Sequence, residues 1–309
     1  MSVEEDIISA ADRCNGKYNV IPKFWHIYAF NTENIKEYSE HFDLKNKSLL
    51  TVGSSGEQVI NAHIKGASDI TLFDTSPFAK YYTWLKIAAI IKLDYREYLN
   101  FFMAFTSNIA GHGGNVYRFH KRLFDKVAPT LKSLDYESYY FWEQLYGHIK
   151  RSGDISAIVK DEETRAKVIK GYSLYLDSEE NYYKARRAVR EITFKYVHGD
   201  LFKDKIEGQY DNIWLSNLCT YHNAFEIYSL VEKLANNLNV DGRMLFAYLY
   251  ETDPTFDSDE ESNLMYRMKF VKRHFGEYLS EYYKVRTARE IQWNDERDKE
   301  DLVLIYHKK

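Results

Sequence analysis

Apolar positions along this chain follow two rhythms that alternate. Leu49-Leu50-Thr51-Val52 and Ile70-Thr71-Leu72-Phe73 are short, nearly unbroken apolar runs, the mark of strands covered on both faces. Between them Val59, Ile60 and Ala62 fall at helical spacing, and Gly66 closes the segment. The first run leads into the turn Gly53-Ser54-Ser55-Gly56, and the second ends on Asp74, about 20 residues further on. This predicts a βαβ unit with backbone N–H groups at a helix start beside a carboxylate at a strand tip. Such a pairing suits a nucleoside, whose ribose hydroxyls the carboxylate can hold. The unit reads as the nucleoside-binding half of a Rossmann-like sheet.

The remaining segments read as additions to that unit. Residues 1–46 are expected to be helical and loop segments, with the aromatic run Ile21–Phe30 followed by a helix-capping cluster, Asn31-Thr32-Glu33-Asn34. This stretch either packs a helix on the sheet or forms a flap in which Tyr28, Phe30, Asn31 and Thr32 cover a ligand. Pro77 stands at the first turn of a long helix, Phe78–Leu93. Connections in such folds are short, yet the next convincing strand is Ile192–Val197. Residues 94–190 therefore read as an insertion of helices over Tyr95–Phe105, Val116–Leu134, Tyr136–Arg151, Glu162–Tyr175 and Glu179–Arg190, placed as a cap over the open edge of the sheet. The run Ala110–Asn115, with His112-Gly113-Gly114, punctuates it as a loop or lid hinge.

Alternation then resumes. Gln209–Leu218 predicts a fourth strand and Phe225–Leu238 a helix. A fifth strand follows the Asp241-Gly242 turn and continues to Tyr250. An acidic loop, Asp253–Glu261, precedes a helix over Asn263–Gly276. Tyr282–Ile291 and Leu302–His307 close the chain as two strands with little between them, so the last runs antiparallel. The expected architecture is α/β: a seven-stranded, mostly parallel sheet with an antiparallel last strand, formed by 47–93 and 191–309, plus a helical cap.

Composition narrows the partners. A net charge of −4 and a pI near 6.2 give no basic footprint for nucleic acid. Cys14 and Cys219 are far apart and lack metal-site spacing, which argues against a disulfide framework or structural zinc. No apolar run reaches the ~20 residues of a membrane span. The acidic start, Glu4-Glu5-Asp6, is unlike a signal peptide, so a cytoplasmic protein is expected. The 27 Tyr and 18 Phe suit a deep, partly wet cleft or simply a biased composition.

The closing hairpin resembles the class I S-adenosylmethionine (SAM) methyltransferase fold. Two stretches narrow the likeness: the turn and second strand continued by Leu85-Lys86-Ile87-Ala88-Ala89-Ile90-Ile91-Lys92-Leu93-Asp94-Tyr95, and Tyr210-Asp211-Asn212-Ile213-Trp214-Leu215-Ser216-Asn217. Together they resemble the SAM:diacylglycerol 3-amino-3-carboxypropyltransferase family of betaine-lipid synthesis and its bacterial relatives. That resemblance implies SAM as group donor. It implies a small-molecule or lipid-headgroup acceptor, with peripheral membrane contact, and transfer of the 3-amino-3-carboxypropyl group by attack on the methylene carbon. The fold alone implies methyl transfer. Gly53, Ser54, Ser55 and Gly56 would cradle the donor, Asp74 would hold the ribose, and Thr75 and Ser76 would line the adenine edge. Asp200 and Leu201 would sit at the adenine, Ser216 and Asn217 at the amino-acid end, with Tyr28 and Thr32 closing over. His222, with Tyr221, is the candidate base for a hydroxyl or amine acceptor. The basic cluster Lys184–Arg190 reads as a solvated helix face or an anion site. A non-catalytic SAM-binding protein is the competing class. The missing G-x-G-x-x-G and the antiparallel ending disfavour a nicotinamide-dependent oxidoreductase.

Overall fold

The computed structural model of the protein describes residues 2–17, 27–31, 33–53, 55–102, 120–149, 158–160, 172–218, 222–247, 279–286 and 300–308. Its strands are β1 (Ile27–Tyr28), β2 (Ser48–Val52), β3 (Asp69–Asp74), β4 (Val159–Lys160), β5 (Lys195–His198), β6 (Tyr210–Trp214), β7 (Leu238–Phe246), β8 (Leu279–Arg286) and β9 (Glu300–His307). The helices are α1 (Val3–Cys14), α2 (Ile35–Tyr38), α3 (Glu57–Ile64), α4 (Phe78–Lys92), α5 (Tyr95–Phe102), α6 (Lys121–Leu134), α7 (Tyr136–His148), α8 (Glu179–Ala188) and α9 (Ala224–Ala235).

Seven strands form one sheet in the order β5-β3-β2-β6-β7-β9-β8. Strands β5, β3, β2, β6 and β7 are mutually parallel, while β9 runs antiparallel to both β7 and β8. Numbered within the sheet alone, this is 3-2-1-4-5-7-6 with strand 7 reversed, the order of the class I methyltransferase fold. The expected fold class stands. The chain reverses direction across the sheet between β2 and β6, and ligands of open α/β sheets bind at the carboxyl ends of strands beside such a point.

Both sheet faces are covered, as runs without polar alternation require. Leu49 and Trp214 join the larger core with α1 and α3–α8, whereas Leu50, Ile213 and Met244 face the core under α9. At the far edge, Asp211 staples the strands together: its carboxylate accepts from Ser48 N–H (2.9 Å), Ser48 Oγ–H (3.0 Å) and Asn239 Nδ2 (2.9 Å). Those bonds, led by the Ser48 backbone, hold its pKa below the usual carboxylate range.

One expectation is corrected. The fifth strand does not start after Asp241-Gly242 but runs through it from Leu238. Asp241 takes a left-handed φ of 61°, and its N–H and the Gly242 carbonyl both bond to Lys308, so the pair forms a kink inside a paired strand. Of the inserted helices, the described α6 and α7 lie beside the long helix that follows β3. They pack on α4, and α7 also on α1, with Phe141 stacked on Tyr81 at 4.2 Å and Trp142 Nε1 donating to the Tyr81 carbonyl at 3.0 Å. The lid run 110–115, the acidic loop 253–261, the helix expected over 263–276 and most of that expected over 162–175 lie outside the described residues.

Candidate active site

The carboxyl ends of β2, β3, β5 and β6 meet a glycine turn whose geometry admits no side chains at two places. A Cβ on Gly53 would lie 2.5 Å from Ala79 Cβ and 2.6 Å from Asp74 Oδ2, so the turn's backbone rests against the Asp74 carboxylate. Gly56 begins α3 with a left-handed φ of 78°, and a Cβ there would lie 2.5 Å from Thr83 Oγ1. Gly56→Ala is expected to lower stability by about 1–2 kcal/mol for the left-handed strain alone, read as a lower urea midpoint. Asp74 Oδ1 accepts from Ser76 N–H at 2.8 Å, fixing the strand tip as an Asx turn. Ser76 is buried and its carbonyl accepts from Tyr196 O–H at 3.0 Å, while Thr75 is exposed, with its carbonyl bonded to His198 Nε2–H at 3.0 Å.

A second cluster closes on β6. Ser216, just past that strand, has a φ of 52°, uncommon for a non-glycine residue and a form of strain that gathers at functional sites. The Ala247 N–H holds its carbonyl at 2.8 Å, and its hydroxyl donates to Glu33 Oε1. Asn31 Oδ1 accepts from the Glu33 N–H at 2.8 Å. The segment 27–34 is thereby tied to the strand end where a donor's amino-acid portion was expected. Among the described residues, Asn31 Nδ2, Ser55 Oγ and both polar atoms of the Gln58 amide are buried without a hydrogen-bond partner. Buried polar groups are rarely left so, and these belong to the glycine turn, the helix it starts, and the segment closing over β6.

The structure locates most of the other predicted site residues. Asp200 Oδ1 accepts from Phe202 N–H (2.9 Å) and Oδ2 pairs with Lys203 (2.8 Å). Burial opposes its charge, but these contacts prevail and hold its pKa below the ordinary value. It thus serves the β5–β6 turn, with remaining lone pairs for an adenine amine. The Leu201 side chain lies in the core under α9, so only its backbone can face a ligand. Asn217 is half-buried beside Ser216. Tyr28 is paired in β1 with β4, a parallel ribbon joining the N-terminal segment to the insertion. His222 stacks on Phe202 (3.7 Å between ring centroids), and its Nδ1–H donates to Glu226 at 3.3 Å. Ser54, Thr32 and Tyr221 lie outside the described residues. In the basic cluster, Arg186 Nε donates to the Ile90 carbonyl at the end of α4 (2.8 Å) and Lys184 pairs with Glu180 (2.6 Å), which favours the helix-face reading.

Sequence reasoning missed Glu33, Glu57, Gln58 and Lys86. Glu57, the first residue of α3, and Lys86, midway along α4, form a fully buried ion pair of 2.6 Å. Tyr175 O–H donates to the same Glu57 oxygen at 2.7 Å and meets Tyr98 Oη at 2.9 Å. Burial drives the Lys86 pKa down to about 8 against the pull of Glu57. Burial, with the Glu57 charge, keeps both tyrosines well above their ordinary value. A charged residue inside the apolar run Leu85–Ile91 was the available signal.

No family model and no curated protein matches this chain. Solved structures resemble it at a distance. One is the N-methyltransferase NodS from Bradyrhizobium japonicum in complex with S-adenosyl-L-homocysteine, with 8% identity over 100% of this chain and 99% of that one and a TM-score of 0.41. TehB from Haemophilus influenzae matches at 11% identity over 97% of this chain and 67% of that one, TM-score 0.40. A putative S-adenosylmethionine-dependent methyltransferase from Listeria monocytogenes matches at 12% identity over 89% and 98%, TM-score 0.40.

Proposed function

We propose that this protein is a SAM-dependent transferase, with methyl transfer as the reading the fold favours. The observation that carries it is the strand-end turn itself: glycines laid against Asp74, with Asn31 Nδ2, Ser55 Oγ and the Gln58 amide buried and without a hydrogen-bond partner among the described residues. Asp74 would take the ribose hydroxyls. Asn31, Ser55, Gln58 and the Glu33–Ser216 pair would take the zwitterionic amino-acid end, which needs donors and acceptors together. A dinucleotide suits this turn less well. The turn lacks the G-x-G-x-x-G spacing with which such folds bring the backbone up to a pyrophosphate.

A sulfonium donor carries its own leaving group, so the protein's share is alignment and, for a hydroxyl or amine acceptor, a base. His222 is our candidate. Its Nδ1–H donates to Glu226, which orients the ring. His222→Gln is expected to lower kcat about a hundredfold or more, with donor affinity little changed, read by steady-state kinetics beside calorimetry.

Aminocarboxypropyl transfer to a small molecule or lipid headgroup is the second reading, favoured by the likeness over Leu85–Tyr95. Mass spectrometry of the spent donor, after incubation with small-molecule and lipid extracts, separates the two. S-adenosylhomocysteine is the expected product, and methylthioadenosine in its place would establish the second reading. Failure of the protein to bind S-adenosylhomocysteine by calorimetry would remove both.

A further inference from the structure

The buried Lys86 ammonium sits where four separate stretches of chain converge. Its Nζ lies 4.2 Å from the centre of the Phe30 ring in the N-terminal segment, 5.0 Å from Tyr82 on α4 and 6.0 Å from Phe102 on α5. Its charge partner, Glu57, is the residue directly after Gly56 of the ligand turn. The same carboxylate oxygen receives the Tyr175 hydroxyl, from the later part of the insertion. Tyr82 O–H also donates to the Ala29 carbonyl at 2.9 Å, so the α4 surface around Lys86 grips the backbone next to Phe30. Three residues beyond Phe30, Glu33 makes the contact to Ser216 at the end of β6.

A buried ion pair is weak evidence of a stabilising role, because removing two charges from water offsets most of their attraction. Hydrophobic residues of similar volume would fill this space without that cost. What such residues would not supply is a cation held against three aromatic faces and a carboxylate fixed at the start of α3.

We propose that Lys86 is a positioning residue of the donor site: its ammonium holds the 27–34 segment, through Phe30, in one arrangement with the glycine turn, through Glu57. The inference rests on the proposed SAM site for its functional consequence, while the mechanical coupling stands apart from it. The groups that share the node are Glu57 from α3, Tyr82 from α4, Phe30 from the N-terminal segment, Tyr98 and Phe102 from α5, and Tyr175. At this node, Lys86 changes charge at mildly alkaline pH. Tyr98 and Tyr175 hold their protons, since burial raises their pKa well above the ordinary value. Lys86, depressed by burial to about 8, is charged below that pH and loses its proton above it. Above that pH the cage holds a neutral amine and Glu57 loses its counter-charge. The grip on both segments should therefore weaken as pH rises.

The test compares the full chain with the double variant Lys86→Met/Glu57→Gln, which removes both charges and so leaves neither stranded. Hydrogen–deuterium exchange is measured at pH 7, together with calorimetric binding of S-adenosyl-L-homocysteine from pH 6.5 to 9.5. In the double variant, exchange should rise at least tenfold at residues 27–35 and 55–60 while β9 and α9 stay protected, with a melting temperature within about 5 °C of the parent. Its affinity should fall at least tenfold at pH 7. The parent's affinity should weaken by up to tenfold per pH unit above about 8, a break that the variant lacks. Unchanged exchange in both segments, or parental affinity with the same pH break in the variant, would overturn the inference. If the parent binds no S-adenosyl-L-homocysteine at any pH, the SAM reading fails on its own and the exchange data alone decide the role of Lys86.

Discussion

Asp74→Ala is expected to weaken binding of S-adenosyl-L-homocysteine by about a hundredfold or more, with the protein still folded. A carboxylate that accepts two ribose hydroxyls makes two charge-assisted hydrogen bonds, each contributing about 1.5–3 kcal/mol. Losing both costs about 3 kcal/mol or more, and every 1.4 kcal/mol is tenfold in affinity. The fold should survive, because the Asx turn to Ser76 N–H that alanine forfeits is a local bond at a strand tip. That loss amounts to about 1 kcal/mol. Removal of the side chain also opens space beside Gly53 rather than crowding it. Calorimetry reads the affinity and urea unfolding the stability. An affinity within threefold of the parent would show that Asp74 does not hold the donor.

Lys86→Met alone should have the largest effect on stability of any surface-silent change in this chain. It removes one half of a fully buried pair and strands the Glu57 carboxylate without its counter-charge, a situation that costs about 3–5 kcal/mol. The Tyr175 hydroxyl and Asn61 Nδ2, which donates to Glu57 Oε2 at 3.3 Å, moderate that cost without replacing the counter-charge. Adding Glu57→Gln should restore most of the loss, since an amide keeps an acceptor for Tyr175 and carries no charge to strand. Urea midpoints of the parent, both single variants and the double form a thermodynamic cycle. A coupling energy near zero would mean that the pair is not formed as described.

The parts of this fold that were legible in sequence are those whose cause is local. Parallel strands covered on both faces must be apolar throughout, so Leu49–Val52 and Ile70–Phe73 declared themselves, and Asp74 stood out as the acid at the end. The glycine turn was legible for the same reason: two positions there leave no room for a Cβ. The Glu33–Ser216 contact joins residues 183 positions apart, and no local pattern encodes it. Lys86 misled because a lysine on a helix is ordinarily its solvent marker, whereas α4 is covered on nearly all sides. Asp241-Gly242 carried a correct turn signal that the partner strand absorbed as a kink, a case of tertiary pairing overriding local chemistry.

The edge position of β5 has a consequence for how the chain is made. β3 ends at Asp74, but the strand that covers its outer edge begins only at Lys195, after the whole insertion. At a synthesis rate of about 10 residues per second, the growing chain carries β3 for roughly ten seconds before its neighbour exists. Throughout that interval the row of backbone groups from Thr71 to Asp74, which β5 later pairs, is an open template for any passing strand. Slowing translation across residues 94–190 should therefore raise the insoluble fraction, and supplying a chaperone that shields strand edges should lower it.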